Sequence, residues 1–331
     1  MAKIGIVGVG NIGGALAHSL LSEPNLQLYL YDVKISMAKG KAKDLRQAAV
    51  ISGHGPTAVY AANDVKDLKE CDVVVVIAGL ARQPGMDRRA LLHANAEIVS
   101  GVATALKGTE ATVVVVTNPV DTMTYLMTRL LDLPFGRVVG MASVLDEGRF
   151  CSAIAKILNV DASSLTACVV GAHNDSMVPL ISSIRWGGLP LSPDQVDRLV
   201  IGGVIEQTRR GGANIVQLLG SGSAYYGPAE AVKRMVLAIT RDENRLVRCS
   251  VVLQGEYAGV TDLSCGTPVV LGCQGVKEIV EYPMSPEEFS LFQRSVDSLK
   301  DERALIQTYL DASIAMGPVE MVSGGVGNAK V

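Results

Sequence analysis

Aromatic residues are scarce in this chain: one Trp, four Phe and nine Tyr among 331 residues, or 4%. A sandwich or barrel of that size would draw on more of them, whereas Val, Leu, Ala and Gly supply most of the 48% apolar content. That balance fits a buried parallel sheet wrapped by helices. Excess charge of either sign is also missing, the formal net charge being only −3. Such a chain offers no electrostatic footprint for nucleic acid or an acidic membrane. Long hydrophobic runs are absent, the run Val73–Ala81 being cut by Arg82 after nine residues, far short of a membrane span. No C-x-x-C pair or His/Cys metal spacing occurs among Cys71, Cys151, Cys168, Cys249, Cys265 and Cys273. Free, buried thiols in a reducing cytoplasm are therefore expected. The first strand is expected from Lys3, which leaves no room for a signal peptide.

What is present is a rhythm of short apolar runs and amphipathic stretches. Lys3–Gly8, Leu26–Asp32, Thr57–Ala61, Asp72–Ala78, Ala111–Thr117 and Arg137–Gly140 read as strands, with helical periodicity over Asn11–Leu21 and Ser36–Val50. Successive βα units predict an α/β doubly wound parallel sheet (a Rossmann fold) over residues 1–145. The pattern then changes, predicting an α+β catalytic domain over residues 146–316 with antiparallel strands and long helices. Its expected elements are a helix Asp146–Leu158, a strand Leu165–Gly171 and a helical stretch Pro193–Leu219 interrupted at Gly202-Gly203 and Gly211-Gly212. Antiparallel strands follow at Val247–Gly255 and Pro268–Gly272, and an amphipathic helix over Ser285–Ala312 opens with an acidic first turn. Residues 317–331, rich in Gly and small side chains, read as a mobile tail.

Four clusters carry chemistry. Gly8, Gly10 and Gly13 form G-x-G-x-x-G between the first strand and first helix. This pattern brings backbone and a helix N-terminus against a pyrophosphate. Asp32 closes the second strand 19 residues after Gly13, where an acid grips a ribose diol and repels a 2′-phosphate, favouring NAD over NADP. The stretch Ala78–Asn95 (AGLARQPGMDRRALLHAN) flanks a Pro-Gly-Met hinge with Arg82 and Arg88. Guanidinium groups grip carboxylates bidentately, so a lid over a dicarboxylate is one reading and a solvated basic loop the other. Thr117-Asn118-Pro119-Val120-Asp121 follows the fifth strand at the carboxyl edge of the sheet. There Asn118 can meet a substrate oxygen or simply cap a turn. Finally, Asp146 and Arg149 are three apart on one helix side, and His173 lies just past a strand end. A His paired with a buried carboxylate shuttles one proton. Separately, these three also read as an i,i+3 ion pair and a satisfied loop histidine. His18, His54 and His93 carry no such context.

GVGNIG, strand-end Asp32, AGLARQPGMDR, TNPVD, GMASVLDEGRF and GAHNDSMVPL occur together and in order. The set resembles the lactate/malate dehydrogenase family, and most closely its lactate-dehydrogenase-like malate dehydrogenase branch, from residue 3 to about 315. The resemblance implies an NAD-dependent oxidoreductase for (S)-malate and oxaloacetate, with alternatives in lactate or another 2-hydroxy acid, or a non-catalytic NAD-binding sensor. It implies His173 as proton acceptor, Asp146 as its orienting partner, Arg149 on the substrate carboxylate and Arg88 on the reacting carbonyl. Asn118 would help place the substrate, and Arg82 would select the dicarboxylate where lactate enzymes usually carry Gln. Ala224 would leave space for a larger substrate arm. The cofactor contacts implied are Gly8, Val9, Gly10, Asn11, Ile12, Gly13, Asp32, Asn95, Val116, Thr117 and Asn118, with Asn95 on the cofactor side of the cleft. No metal is required, because arginines and an imidazolium polarise the carbonyl. The implied partners are a small dicarboxylate and further copies of the chain as a dimer or tetramer. Two positions depart from the branch: Asn174 where Gly is usual, and Ala90 where Asp is common. Asn is the residue best able to replace a glycine held at positive φ.

Overall fold

The computed structural model describes residues 1–53, 58–80, 87–220 and 222–315. Arg82 with the whole Pro-Gly-Met hinge, His54 and the tail 317–331 lie outside the described residues.

Six parallel strands run through the first half: β1 (Ala2–Val7), β2 (Leu26–Tyr31), β3 (Ala58–Ala61), β4 (Val73–Val76), β5 (Thr112–Val115) and β6 (Val138–Gly140). They alternate with α1 (Asn11–Leu20), α2 (Ile35–Ile51), α3 (Arg88–Leu106) and α4 (Val120–Leu131). The strand order β3-β2-β1-β4-β5-β6 is the doubly wound arrangement. Central β4 and β5 are buried at every position, which is why they read as unbroken Val runs. β2, nearer the edge, alternates buried and half-buried residues.

The second half begins with α5 (Ser143–Leu158), which starts three residues earlier than its periodicity predicts and so places Asp146 in the first turn. β7 (Leu165–Val170), β8 (Val178–Trp186) and β9 (Leu189–Pro190) form a small antiparallel sheet. α6 (Pro193–Ile201) carries a Ser192/Gln195 capping box with proline at its first position, and Gly203 at φ +64° separates it from α7 (Val204–Leu219). α8 (Tyr226–Thr240) follows, then β10 (Arg245–Gln254), the single turn α9 (Glu256–Gly259), β11 (Thr261–Gly272), β12 (Gly275–Ile279) and the long α10 (Pro286–Ala315).

Two features differ from the sequence reading. The antiparallel strands β10–β12 continue the parallel sheet, joining β6 through the pair Ser250–Gly140 to make nine strands. Also, the second glycine pair does not interrupt its helix. Gly211 and Gly212 lie within α7, where an added Cβ would stand 3.2 Å from Arg149 Cδ and 3.0 Å from Arg149 Nη2 respectively. Their small size lets α7 press against that side chain.

Candidate active site

The carboxyl ends of β1, β2, β4 and β5 open onto a cleft of about 780 Å³. Gly8 turns the chain at φ +95°, and a Cβ there would lie 2.7 Å from Ala78 N. One on Gly13 would strike the Gly8 carbonyl, while one on Gly10 would meet nothing within 4 Å. The outer two glycines thus permit the tight turn and helix packing, and Gly10 leaves the cleft side open. This geometry fits a dinucleotide pyrophosphate against the N-terminus of α1.

Asp32 accepts hydrogen bonds from Val9 N and Lys34 N, both at 3.0 Å, so its carboxylate is tied to the glycine turn. It still lines the cleft and retains acceptor capacity for a ribose diol. Asn11, Ile12, Val116, Thr117 and Asn118 line the same cleft. Val9 and Asn95 are placed differently, both fully buried. Val9 contributes through its N–H, which donates to Asp32. Asn95 accepts from Leu80 N (2.7 Å) and donates to Leu80 O (3.2 Å) and Asn118 O (2.7 Å). Its amide ties together the loops at Leu80 and Asn118, both of which line the cofactor cleft.

The first turn of α5 and the loop after β7 bring Asp146, Arg149 and His173 together. His173 Nδ1 lies 2.6 Å from Asp146 Oδ2, and Arg149 Nη1 donates to Asp146 Oδ1 at 3.1 Å. Burial alone would lower the His173 pKa. The charge and hydrogen bond of Asp146, with the charge of Asp121 behind them, reverse that and hold it above the ordinary histidine value. Arg149 lines a second cavity of about 640 Å³ together with Gly211, Asn214 and Ala224. Ser223 and Ala224, consecutive in sequence, line the cofactor cleft and this cavity respectively. Arg88, at the start of α3, lies 3.6 Å from Asp175, two residues past His173, and both side chains are mostly exposed. An exposed guanidinium paired with the turn after His173 can exchange that exposed partner for a substrate oxygen.

Asn174 does not occupy the left-handed region. Its Oδ1 instead accepts from Ser176 N (2.8 Å) and Ser176 Oγ (2.6 Å), closing the turn after His173 with its own side chain. Below this turn, Ser295 Oγ of α10 accepts from Ala172 N at 2.9 Å.

One buried acid had no assigned role in the sequence reading. Asp121, in the first turn of α4, accepts from the His173 backbone N–H at 2.7 Å and from Ser250 Oγ at 2.6 Å. Burial pushes its pKa up to about 6 despite those two bonds. The visible signal was a charged residue at the head of the otherwise apolar and hydroxylic stretch VDTMTYLM. Among the described residues, no cluster of His, Cys, Asp or Glu is arranged to hold a metal ion, and no helix is long and apolar enough to cross a membrane.

Residues 2–140 match the lactate/malate dehydrogenase NAD binding domain, and residues 143–308 match the alpha/beta C-terminal domain of the same enzymes. The chain is 42% identical over 306 residues to malate dehydrogenase of Anaplasma marginale (strain Florida), covering 90% of this chain and 96% of that one. It is 38% identical over 309 residues to malate dehydrogenase of Chlorobium chlorochromatii (strain CaD3), covering 92% and 99%. Among solved structures, the malate dehydrogenase of Cryptosporidium parvum superposes with a TM-score of 0.86 at 34% identity, covering 93% of this chain and 99% of that one. A lactate dehydrogenase of Cryptosporidium parvum, complexed with lactic acid and nicotinamide adenine dinucleotide, superposes at 0.85 and 32% identity, covering 94% and 98%.

Proposed function

The chain belongs to the lactate/malate dehydrogenase family, and from that premise we propose that it catalyses the reversible NAD-dependent oxidation of (S)-malate to oxaloacetate. The observation that carries the mechanism is the 2.6 Å contact between His173 Nδ1 and Asp146 Oδ2, with Arg149 on the same carboxylate. NAD held in the cleft would supply the acceptor for the hydride leaving C2 of malate.

In that direction His173 starts neutral. Its Nδ1–H donates to Asp146, which leaves Nε2 as the acceptor for the C2 hydroxyl proton. Asp146 then faces an imidazolium and stabilises it. In the reverse direction the same Nε2–H returns its proton to the carbonyl oxygen. Arg149, held by Asp146 and pressed by Gly211 and Gly212, binds the carboxylate beside the reacting carbon. Arg88 stabilises charge developing on the carbonyl oxygen, Asn118 orients the substrate, and Arg82 meets the distal carboxylate. Gly8, Gly10, Gly13 and Asp32 would hold the pyrophosphate and ribose of the cofactor.

Six free cysteines support a reducing, cytoplasmic setting. A homo-oligomer, dimer or tetramer, is supported by apolar side chains left exposed on α2 (Val50, Ile51) and α7 (Leu218, Leu219). Nucleic acid is not among the proposed partners.

The test is NADH oxidation with oxaloacetate or pyruvate. Charged hydrogen bonds to a distal carboxylate are each worth roughly 1.5–3 kcal/mol, so kcat/KM should favour oxaloacetate by about ten- to hundredfold or more. Arg82→Gln should erode that preference chiefly by impairing oxaloacetate. Equal use of both keto acids by the unaltered enzyme would reject malate as the substrate in favour of a broad 2-hydroxy acid dehydrogenase.

A further inference from the structure

We infer that Asp121 is a positioning residue for the proton transfer, holding the His173 backbone by hydrogen bonding and supporting the His173 imidazolium by its charge. This rests on the malate dehydrogenase reading of the site and adds a second carboxylate to it. Asp121 is nearly inaccessible to solvent. Oδ2 accepts from His173 N and Oδ1 from Ser250 Oγ, which lies 2.8 Å from Ser264 Oγ. These bonds do not need an acid. An asparagine would accept from His173 N through its carbonyl and donate to Ser250 Oγ through its amide.

What aspartate adds is negative charge, and a buried charge is unfavourable unless something compensates it. Among the described residues, no Lys or Arg side chain bonds Asp121. The cation that can compensate it is His173 itself, once protonated. The other titratable or charged groups facing this pair come from α10, β11 and α5. Glu302 of α10, which accepts from Thr122 Oγ1 at 2.6 Å, and the buried Cys265 thiol of β11 face Asp121. Asp146 and Arg149 of α5 face His173. Glu302 makes the Asp121 charge harder to hold and Cys265 stays neutral, so neither replaces the imidazolium. Asp146 thus acts on the ring directly, while Asp121 acts from the backbone side.

The experiment is an NMR titration of the full-length, histidine-labelled protein, with the His173 signals assigned by their loss in His173→Asn. In Asp121→Asn, His173 should titrate about half to one pH unit lower than in the unaltered protein. The alkaline limb of oxaloacetate reduction should move down by a matching amount, with NADH affinity unchanged. Ser250→Ala provides the independent variant. Losing that bond makes Asp121 bind its proton more tightly, so His173 should again titrate lower. An unmoved His173 pKa in Asp121→Asn, or in Ser250→Ala should the first variant not fold, would overturn the inference and leave Asp121 a backbone anchor. Because the titration needs no substrate, this failure is distinct from that of the malate reading, which shows as absence of oxaloacetate reduction by the unaltered enzyme.

Discussion

Replacing Asp146 by Asn removes one acceptor from a position that uses two. Oδ2 faces His173 Nδ1 at 2.6 Å and Oδ1 accepts from Arg149 at 3.1 Å, whereas a carboxamide has a single oxygen. If the amide oxygen stays with Arg149, its NH2 faces Nδ1 and forces the imidazole to accept there. The proton then sits on Nε2, the nitrogen that must take the malate hydroxyl proton, and oxidation stalls. If the oxygen turns to His173 instead, Arg149 loses its anchor and the imidazolium still loses a charged partner. A charge-assisted hydrogen bond contributes about 1.5–3 kcal/mol, and 1.36 kcal/mol is one pKa unit, so His173 should titrate about one to two units lower. Oxaloacetate reduction needs the protonated ring. Its rate is full below the His173 pKa and lost as pH rises through it, so the alkaline limb should shift to lower pH by that amount. Turnover at the best pH should fall about 10²- to 10⁴-fold. The assay is NADH absorbance at saturating oxaloacetate across the pH range, for Asp146→Asn, His173→Asn and the double variant. The single losses should be strongly non-additive, because a carboxylate has no ring to orient once the imidazole is gone. An unmoved alkaline limb, or a double variant showing the full product of the single losses, would refute the coupling.

Asp32→Ser should narrow the preference for NADH over NADPH, since a carboxylate bonded to Val9 N and Lys34 N repels a 2′-phosphate where a hydroxyl does not; fluorescence titration with each cofactor reads this, and equal affinities in the unaltered protein would contradict it. Beneath the site, Arg248 Nη1 lies 3.3 Å from both oxygens of Glu147, with both side chains largely buried. Glu147→Ala strands that guanidinium and should lower stability by about 3–5 kcal/mol in a denaturant melt, whereas Glu147→Leu with Arg248→Met should recover most of it.

The legible parts of this molecule are those written in local pattern. The Val runs of β4 and β5, the glycine turn after β1 and Asp32 closing β2 each depend on a few adjacent residues. His173 and Asp146 were readable as residue types, but their meeting depends on α5 and β7 packing together. Asp121 stood in plain view within TNPVD, yet its partners come from the loop after β7 and from β10, which no spacing along the chain reveals. Asn95 shows the same limit. A buried amide on a helix can turn to a ligand or to backbone, and only the arrangement of the loops at Leu80 and Asn118 decides it. Gly211 and Gly212 carry a helix-breaking signature, but their environment overrides it, because α7 needs small residues where it meets Arg149.

The join between β6 and β10 makes the cofactor half dependent on the C-terminal half. Residues 2–140 match a family model of their own, but β6 is an inner strand of a nine-stranded sheet, flanked by β5 and β10. A chain ending at Met141 would leave Gly140 without the pairing that Ser250 now gives it, beside apolar Val138 and Val139. Such an edge is a template for pairing with another chain. The nucleotide-binding portion is therefore not an exchangeable module: separated from its C-terminal strands, it becomes adhesive along the seam where Ser250 now sits against Gly140.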